Sequence, residues 1–273
     1  VQRAWLLDRL RRRYEHPEEV RAYADQVPQG LTPEEAALLG RFLTKPCRVA
    51  NLGCGAGREA LALWRQGYDV IGLDISRPML RAARQFAAEQ GAQFPLVWMP
   101  NPLRLPLSDA SVDCVIALAQ LLSHIPGHKT RIALLSEMQR VLVPEGLLIA
   151  SITDRDAAAD LYGDDEYDDH EFSSMARAAG WEEGDLWVWE PSAARLDTPL
   201  FFHLHTRREI EDEFEAAGME LVEYVGGHEL TPQATSDAHR YRFAVGRKGA
   251  VPKGRPLVSF SSRLGLETGK IRL

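Results

Sequence analysis

The run Val49-Ala50-Asn51-Leu52-Gly53-Cys54-Gly55-Ala56-Gly57 places three alternate glycines between a stretch patterned as a buried strand and one patterned as a helix. Without a Cβ, main chain at these positions turns tightly and comes close to a ligand, and NH groups at a helix start suit a carboxylate or another anion. Arg58 follows directly, so the spacing is GxGxG. The dinucleotide fingerprint needs its third glycine one position later, which disfavours NAD and FAD. Asp74 ends the next expected strand, 21 residues after Gly53. A carboxylate there can accept both hydrogens of a ribose diol, although an aspartate also suits the N-cap of a helix beginning near Arg77.

Candidates for proton transfer are histidines, whose ordinary pKa lies near neutrality. His124 is the first choice, because it follows an expected strand, Val112 to Leu118, on the edge where α/β proteins bind ligands. His203 and His205 are the alternative. In a strand they point to one face and leave Phe202 and Leu204 on the other. No third ligand accompanies them, so no metal is expected.

The elements that must position these residues alternate between period 2 and period 3.6, the pattern of an α/β fold. Helices are expected over Val1 to Tyr23, from Thr32 as N-cap with Glu35 closing a capping box, over Arg77 to Gln90, Lys129 to Leu142 and Thr206 to Ala217. Strands are expected at Arg48 to Leu52, Tyr68 to Leu73, Phe94 to Met99, Val112 to Leu118, Leu147 to Thr153, Met219 to Val225 and Tyr241 to Val245. Between Thr153 and Phe201 the rhythm breaks in a long insertion, and insertions of that length are usually functional. Trp187 and Trp189 share one face of an expected strand there, and Phe201-Phe202 follows, so these aromatics suit either the roof of a pocket or simple packing.

Further segments recur in order along the chain: Gly72-Leu73-Asp74-Ile75-Ser76 with Met79 and Leu80, Leu105-Pro106-Leu107-Ser108-Asp109 before Val112-Asp113, and Arg140-Val141-Leu142-Val143-Pro144-Glu145-Gly146. With the glycine turn they make the sequence resemble the class I S-adenosylmethionine-dependent methyltransferases, particularly bacterial small-molecule enzymes, over Val49 to Thr153. The resemblance implies a Rossmann-like, seven-stranded, mostly parallel sheet with helices on both faces, an antiparallel last strand and an inserted lid. It divides the chain into an N-terminal helical cap (1–46), a cofactor-binding core (47–153), the acidic and aromatic lid (154–205), the rest of the core sheet (206–248) and a basic tail (249–273).

The same resemblance implies S-adenosyl-L-methionine as cofactor. Gly53, Cys54 and Gly55 would lie under its methionine part, beside Asn51 and Arg58, and Gly57 would let two helices pack closely. Asp74 would hold the ribose hydroxyls, and Ile75 and Met79 would approach the adenine. Asn101, Pro102 and Leu103 would lie at the adenine edge, and Ala117, Leu118 and Ala119 on the methyl-donor side. Tyr23 would cover the cofactor from the N-terminal helices. Three positions depart from the pattern. Asn51 stands where an acidic residue is usual, Pro102 has no NH to offer adenine, and Glu145 replaces the first glycine of a turn.

Composition bounds the rest. The chain has 273 residues, 45% of them hydrophobic and 26% charged, enough for one large α/β domain with insertions. No apolar run reaches the length of a membrane helix, and the residues after Val1 lack the apolar core of a secretory signal. Three cysteines without CxxC spacing point to reduced thiols and a cytoplasmic protein. A net charge of −7 disfavours nucleic acid as a partner. The charge is uneven: 154–171 carries nine acidic and one basic residue, and 247–273 seven basic and one acidic. The acidic stretch favours a cationic acceptor by attraction. The expected activity is methylation of a small molecule at O, N or C, and a non-catalytic cofactor-binding subunit is the alternative.

Overall fold

The computed structural model describes residues 2–158, 181–188 and 200–249. Most of the acidic stretch, Trp189 and nearly all of the basic tail lie outside them. Two helices open the chain, α1 (Gln2–Glu15) and α2 (Pro17–Gln26), where one was expected. Pro17 lacks the NH that would continue the first helix, so His16 turns extended (φ −68°, ψ 134°) and its side chain accepts from the Glu18 NH. Helix α3 (Pro33–Phe42) begins as its sequence indicates: Thr32 and Glu35 close a capping box around Pro33.

The sheet is built from β1 (Arg48–Leu52), β2 (Asp69–Asp74), β3 (Leu96–Trp98), β4 (Val112–Ala117), β5 (Leu142–Thr153), β8 (Met219–Gly226) and β9 (Tyr241–Lys248). The intervening helices are α4 (Arg58–Arg65), α5 (Arg77–Glu89), α6 (His128–Val141) and α8 (Arg207–Ala216), with short turns α7 (Arg155–Ala158) and α9 (Gly227–Leu230). Strands run in the order β3-β2-β1-β4-β5-β9-β8, the first five parallel, and β9 antiparallel to both β5 and β8. The expected seven-stranded sheet with an antiparallel last strand is the one observed.

Because both faces of this sheet are covered, its central strands read as continuous apolar runs. Ala50, Leu52, Val115 and Leu148 pack with Leu134 and Met138 of α6 and Phe214 of α8. Val49, Cys114, Ile116 and Ile149 pack on the other face with Leu38 of α3 and Leu63 of α4. Strand β5 starts earlier than expected, and the Pro144-Glu145-Gly146 turn sits inside it as a register shift against β4. Glu145 adopts φ +64° there, a left-handed conformation that explains why glycine is the easier residue at this turn.

Apart from this sheet, β6 (Asp185–Val188) and β7 (Leu200–His203) form an antiparallel pair. Phe202 packs on His124 and Leu10, while Phe201 packs on Trp181 and Trp187. Trp5 and Arg9 of α1 also reach Trp187, so the first helix and this pair close against each other. All three cysteines are free thiols. No helix among the described residues is long and apolar enough to cross a membrane.

Candidate functional site

At the C-terminal end of β1 the chain takes φ +67° at Gly53, +52° at Gly55 and +95° at Gly57. A Cβ on Gly53 would lie 2.5 Å from Leu121, and one on Gly57 3.2 Å from the Ala83 Cβ, which is how α4 approaches α5 so closely. Asp74 ends β2 beside this turn. Its Oδ2 accepts from the Gly55 NH at 2.8 Å and its Oδ1 from the Ser76 NH at 2.7 Å. Ser76, not Asp74, caps α5: its hydroxyl accepts from the Met79 NH. Burial pushes the Asp74 carboxyl up to about 6, against the pull of its backbone hydrogen bonds.

Gly53, Gly55 and Asp74 face a cleft of about 740 Å³, counting its open mouth. Of the other residues singled out in the sequence, Tyr23, Ile75, Met79 and Pro102 line it, as do Leu118, Ala119 and His124. Ala119 and Gln120 take φ of +50° and +54°, strained for residues with a Cβ, and the Gln120 NH is held by the Ser151 hydroxyl. Leu10, Leu121, Ile125 and Leu134, which the sequence did not single out, also line the cleft, beside Tyr14. Their signal was apolarity alone, which is indistinguishable from core.

The other residues expected at the cofactor are not among those lining this cleft. Arg58 turns away to Glu35, Glu59 and the Gly30 carbonyl, fastening α4 to the start of α3. The Asn101 side chain accepts from the Leu103 NH, closing a local turn, and Leu103 packs against the core. Ala117 is buried inside β4, and Cys54 is buried, its thiol pushed well up by burial. Gly57 serves helix packing. Asn51 is 1% exposed, and its Oδ1 has no hydrogen-bond partner among the described residues.

His124 lies in a short turn after β4, 7% exposed. Its Nδ1 is 3.2 Å from the Phe201 carbonyl and its Nε2 3.2 Å from the Tyr14 hydroxyl. A carbonyl only accepts, so Nδ1 carries the hydrogen and Nε2 accepts from Tyr14. Burial pushes the imidazole down to about 4, which keeps it neutral.

His203 and His205 do not reach the cleft. His203 lies on the face of β7 opposite Leu200 and Phe202, where its Nδ1 donates to Asp185 at 2.6 Å and its Nε2 is 3.7 Å from Glu209. Burial opposes its charge, but these two carboxylates outweigh it and hold its pKa above the ordinary value. Glu182, Asp185 and His203 bring ligand atoms within 4.8 Å of one another. Arg131 lies 3.1 Å from Glu182, however, and the His203–Asp185 hydrogen bond already takes the atoms a cation would need. His205, its ring centre 4.6 Å from that of His203, is fully buried with neither nitrogen hydrogen-bonded among the described residues. Burial drives its pKa well down, so it stays neutral. His205→Leu is therefore expected to raise stability by about 1 kcal/mol, because two orphaned nitrogens leave the interior. A urea midpoint that falls instead would show that the ring serves a polar role.

Residues 50–150 match the methyltransferase domain family. The ubiquinone biosynthesis O-methyltransferase of Photobacterium profundum is 30% identical over 115 residues, 42% of this chain and 47% of that protein. This chain spans about half the length of the curated relatives it matches. A SAM-dependent methyltransferase from Methanosarcina mazei superposes with a TM-score of 0.65 at 22% identity, covering 81% of this chain and all of the other. The 1,6-didemethyltoxoflavin-N1-methyltransferase of Burkholderia thailandensis, solved with its substrate and S-adenosylhomocysteine, superposes at 0.54 with 17% identity, over 78% of this chain and 76% of that one.

Proposed function

We propose that this chain, which belongs to the class I S-adenosylmethionine-dependent methyltransferases, transfers a methyl group to a small-molecule acceptor held in the cleft beside Asp74. One observation carries the reading: a buried carboxylate and two Cβ-less, left-handed positions converge on the same cleft, which then continues between apolar walls. The cofactor fits these residues. Gly53 and Gly55 leave room for main chain to approach the methionine part, and the unsatisfied Asn51 Oδ1 suits an ammonium donor. Asp74 has the carboxylate that ribose hydroxyls require. Pro102 and Met79 supply apolar contact where adenine would lie.

Bound S-adenosylmethionine supplies a methyl group on a sulfonium, open to in-line displacement. The residues of the chain then need only hold the acceptor close and aligned, which by itself lowers the barrier substantially. Leu118 and the strained Ala119 shape the wall beside the acceptor, and Tyr23 covers it from α2. Relatives named as a ubiquinone biosynthesis O-methyltransferase and a 1,6-didemethyltoxoflavin-N1-methyltransferase support a small molecule as acceptor. Calorimetric titration with S-adenosylhomocysteine tests cofactor binding, and transfer of tritiated methyl to a small-molecule extract tests turnover. Saturable binding and a labelled product are expected. Binding with no labelled product in any fraction would favour a non-catalytic cofactor-binding subunit, the reading that the neutral Asn51 also suits.

A further inference from the structure

We propose that the acceptor is a neutral, largely apolar molecule bearing a hydroxyl group, and that Tyr14 receives this hydroxyl and relays its proton to Nε2 of His124. The inference rests on the methyl-transfer reading above. Its first support is the wall beyond Asp74. Leu10, Leu121, Ile125 and Leu134 make it apolar, and no lysine or arginine is among the described residues lining the cleft. Asp74, the one carboxylate among the described residues lining it, already accepts from Gly55 and Ser76. A charged acceptor would leave water without a counterion, whereas a neutral hydroxyl would lose only hydrogen bonds that Tyr14 can replace.

The second support is the fixed direction of the hydrogen bonds. The Phe201 carbonyl sets the His124 tautomer, so Nε2 is left as an acceptor aimed at the Tyr14 hydroxyl. Both rings are held in place: His124 packs edge-on against Phe202 at 4.3 Å, and Tyr14 against Tyr23 at 5.7 Å. The Tyr14 carbonyl also accepts from the Ser76 hydroxyl at 2.8 Å, which ties α1 to the residue that caps α5.

In the reaction the acceptor oxygen bonds to the methyl carbon as the carbon–sulfur bond breaks and its electron pair stays on sulfur. The acceptor proton passes to the Tyr14 oxygen while the Tyr14 proton passes to His124 Nε2. The positive charge that leaves the sulfonium reappears on the imidazole, so the total charge in the cleft does not change. This balance is what lets a buried histidine take a proton. Nε2 of His124 carries no proton beforehand and gives the transferred one up readily to water afterwards, because burial opposes the charge of the imidazole. His124 acts through Tyr14 and is a positioning and proton-accepting residue.

The test uses three probes of similar shape: 1-naphthol, which is neutral, 1-naphthylmethylamine, which is protonated near neutral pH, and 1-naphthoic acid, which is ionised. Each is titrated into protein saturated with S-adenosylhomocysteine and then offered with methyl-labelled S-adenosylmethionine. Naphthol is expected to bind at about 1 mM or below and to be methylated, and the amine and the acid are expected to do neither. Tyr14→Phe, which keeps the ring, is expected to lower kcat about 100-fold and to raise KM for naphthol about fivefold through the lost hydrogen bond, with S-adenosylhomocysteine affinity nearly unchanged. His124→Gln should lower kcat similarly. A preference for the amine or the acid, no binding or no methylation of naphthol, or wild-type kcat in Tyr14→Phe would each overturn the proposal. Failure to bind S-adenosylhomocysteine would instead sink the methyl-transfer reading beneath it.

Discussion

S-adenosylhomocysteine is expected to bind about tenfold more weakly at pH 5 than at pH 8, and to lose about 100-fold in affinity at pH 8 when Asp74 becomes alanine. The pH effect follows from burial, which holds the Asp74 carboxyl at about 6 in the empty cleft. Only the carboxylate accepts two ribose hydrogens, so below that value the competent fraction falls about tenfold per pH unit. The sign for stability is the opposite. A carboxyl whose folded pKa is raised binds its proton more tightly when folded, so this group favours folding at pH 5 over pH 7. Weaker binding at pH 5 therefore does not reflect unfolding through Asp74. In Asp74→Ala the charge-assisted bonds, worth about 1.5–3 kcal/mol each, are gone, and the pH dependence between 5 and 8 should vanish with them. Calorimetry across this range decides the matter. A flat wild-type profile, or an alanine variant that binds normally while folded by circular dichroism, would remove Asp74 from the site.

Arg131→Met is expected to cost about 3–5 kcal/mol of stability. Arg131 in α6 and Glu213 in α8 are 1% and 0% exposed and meet at 2.7 Å. Arg131 also bonds Glu182 beside β6 and approaches the carbonyl of Ile125, a cleft residue. Truncating it strands Glu213, whose carboxyl burial already pushes up, and leaves its charge without the partner that offsets desolvation. His128 also touches Glu213 but is half exposed and cannot replace a guanidinium. In the double variant Arg131→Met, Glu213→Leu neither charge of this pair remains, and most of the loss should return. Urea denaturation of the two single variants and the double variant measures this coupling. Additive losses, with the double variant as unstable as the sum, would show that the pair acts through packing and not through charge.

Much of the architecture was legible because it depends on short-range chemistry. Thr32 with Glu35 and Thr206 with Glu209 mark helix starts through hydrogen bonds spanning three residues. The central strand sequences are largely apolar because helices cover both faces of the sheet. The misplaced boundaries were also local: Pro17 divides the first helix, and the turn at Glu145 is absorbed into β5. The candidate site was legible only in part. Gly53, Gly55 and Asp74 stand out because main chain without a Cβ and a carboxylate at a strand end are rare enough to signify. Arg58 and Asn101 looked equally well placed, yet Glu35 and the Leu103 NH claim them.

By itself the sequence determined where the chain turns, where helices start and which strands are buried, since steric limits and capping bonds act within a few residues. The tertiary structure decided which side chains meet. It set Tyr14 against His124 across 110 positions and Arg131 against Glu213 across 82, and it turned His203 and His205 away from the cleft. The physical reason is that a buried polar group takes whichever partner packing brings within about 3 Å, and that partner has no fixed distance along the chain.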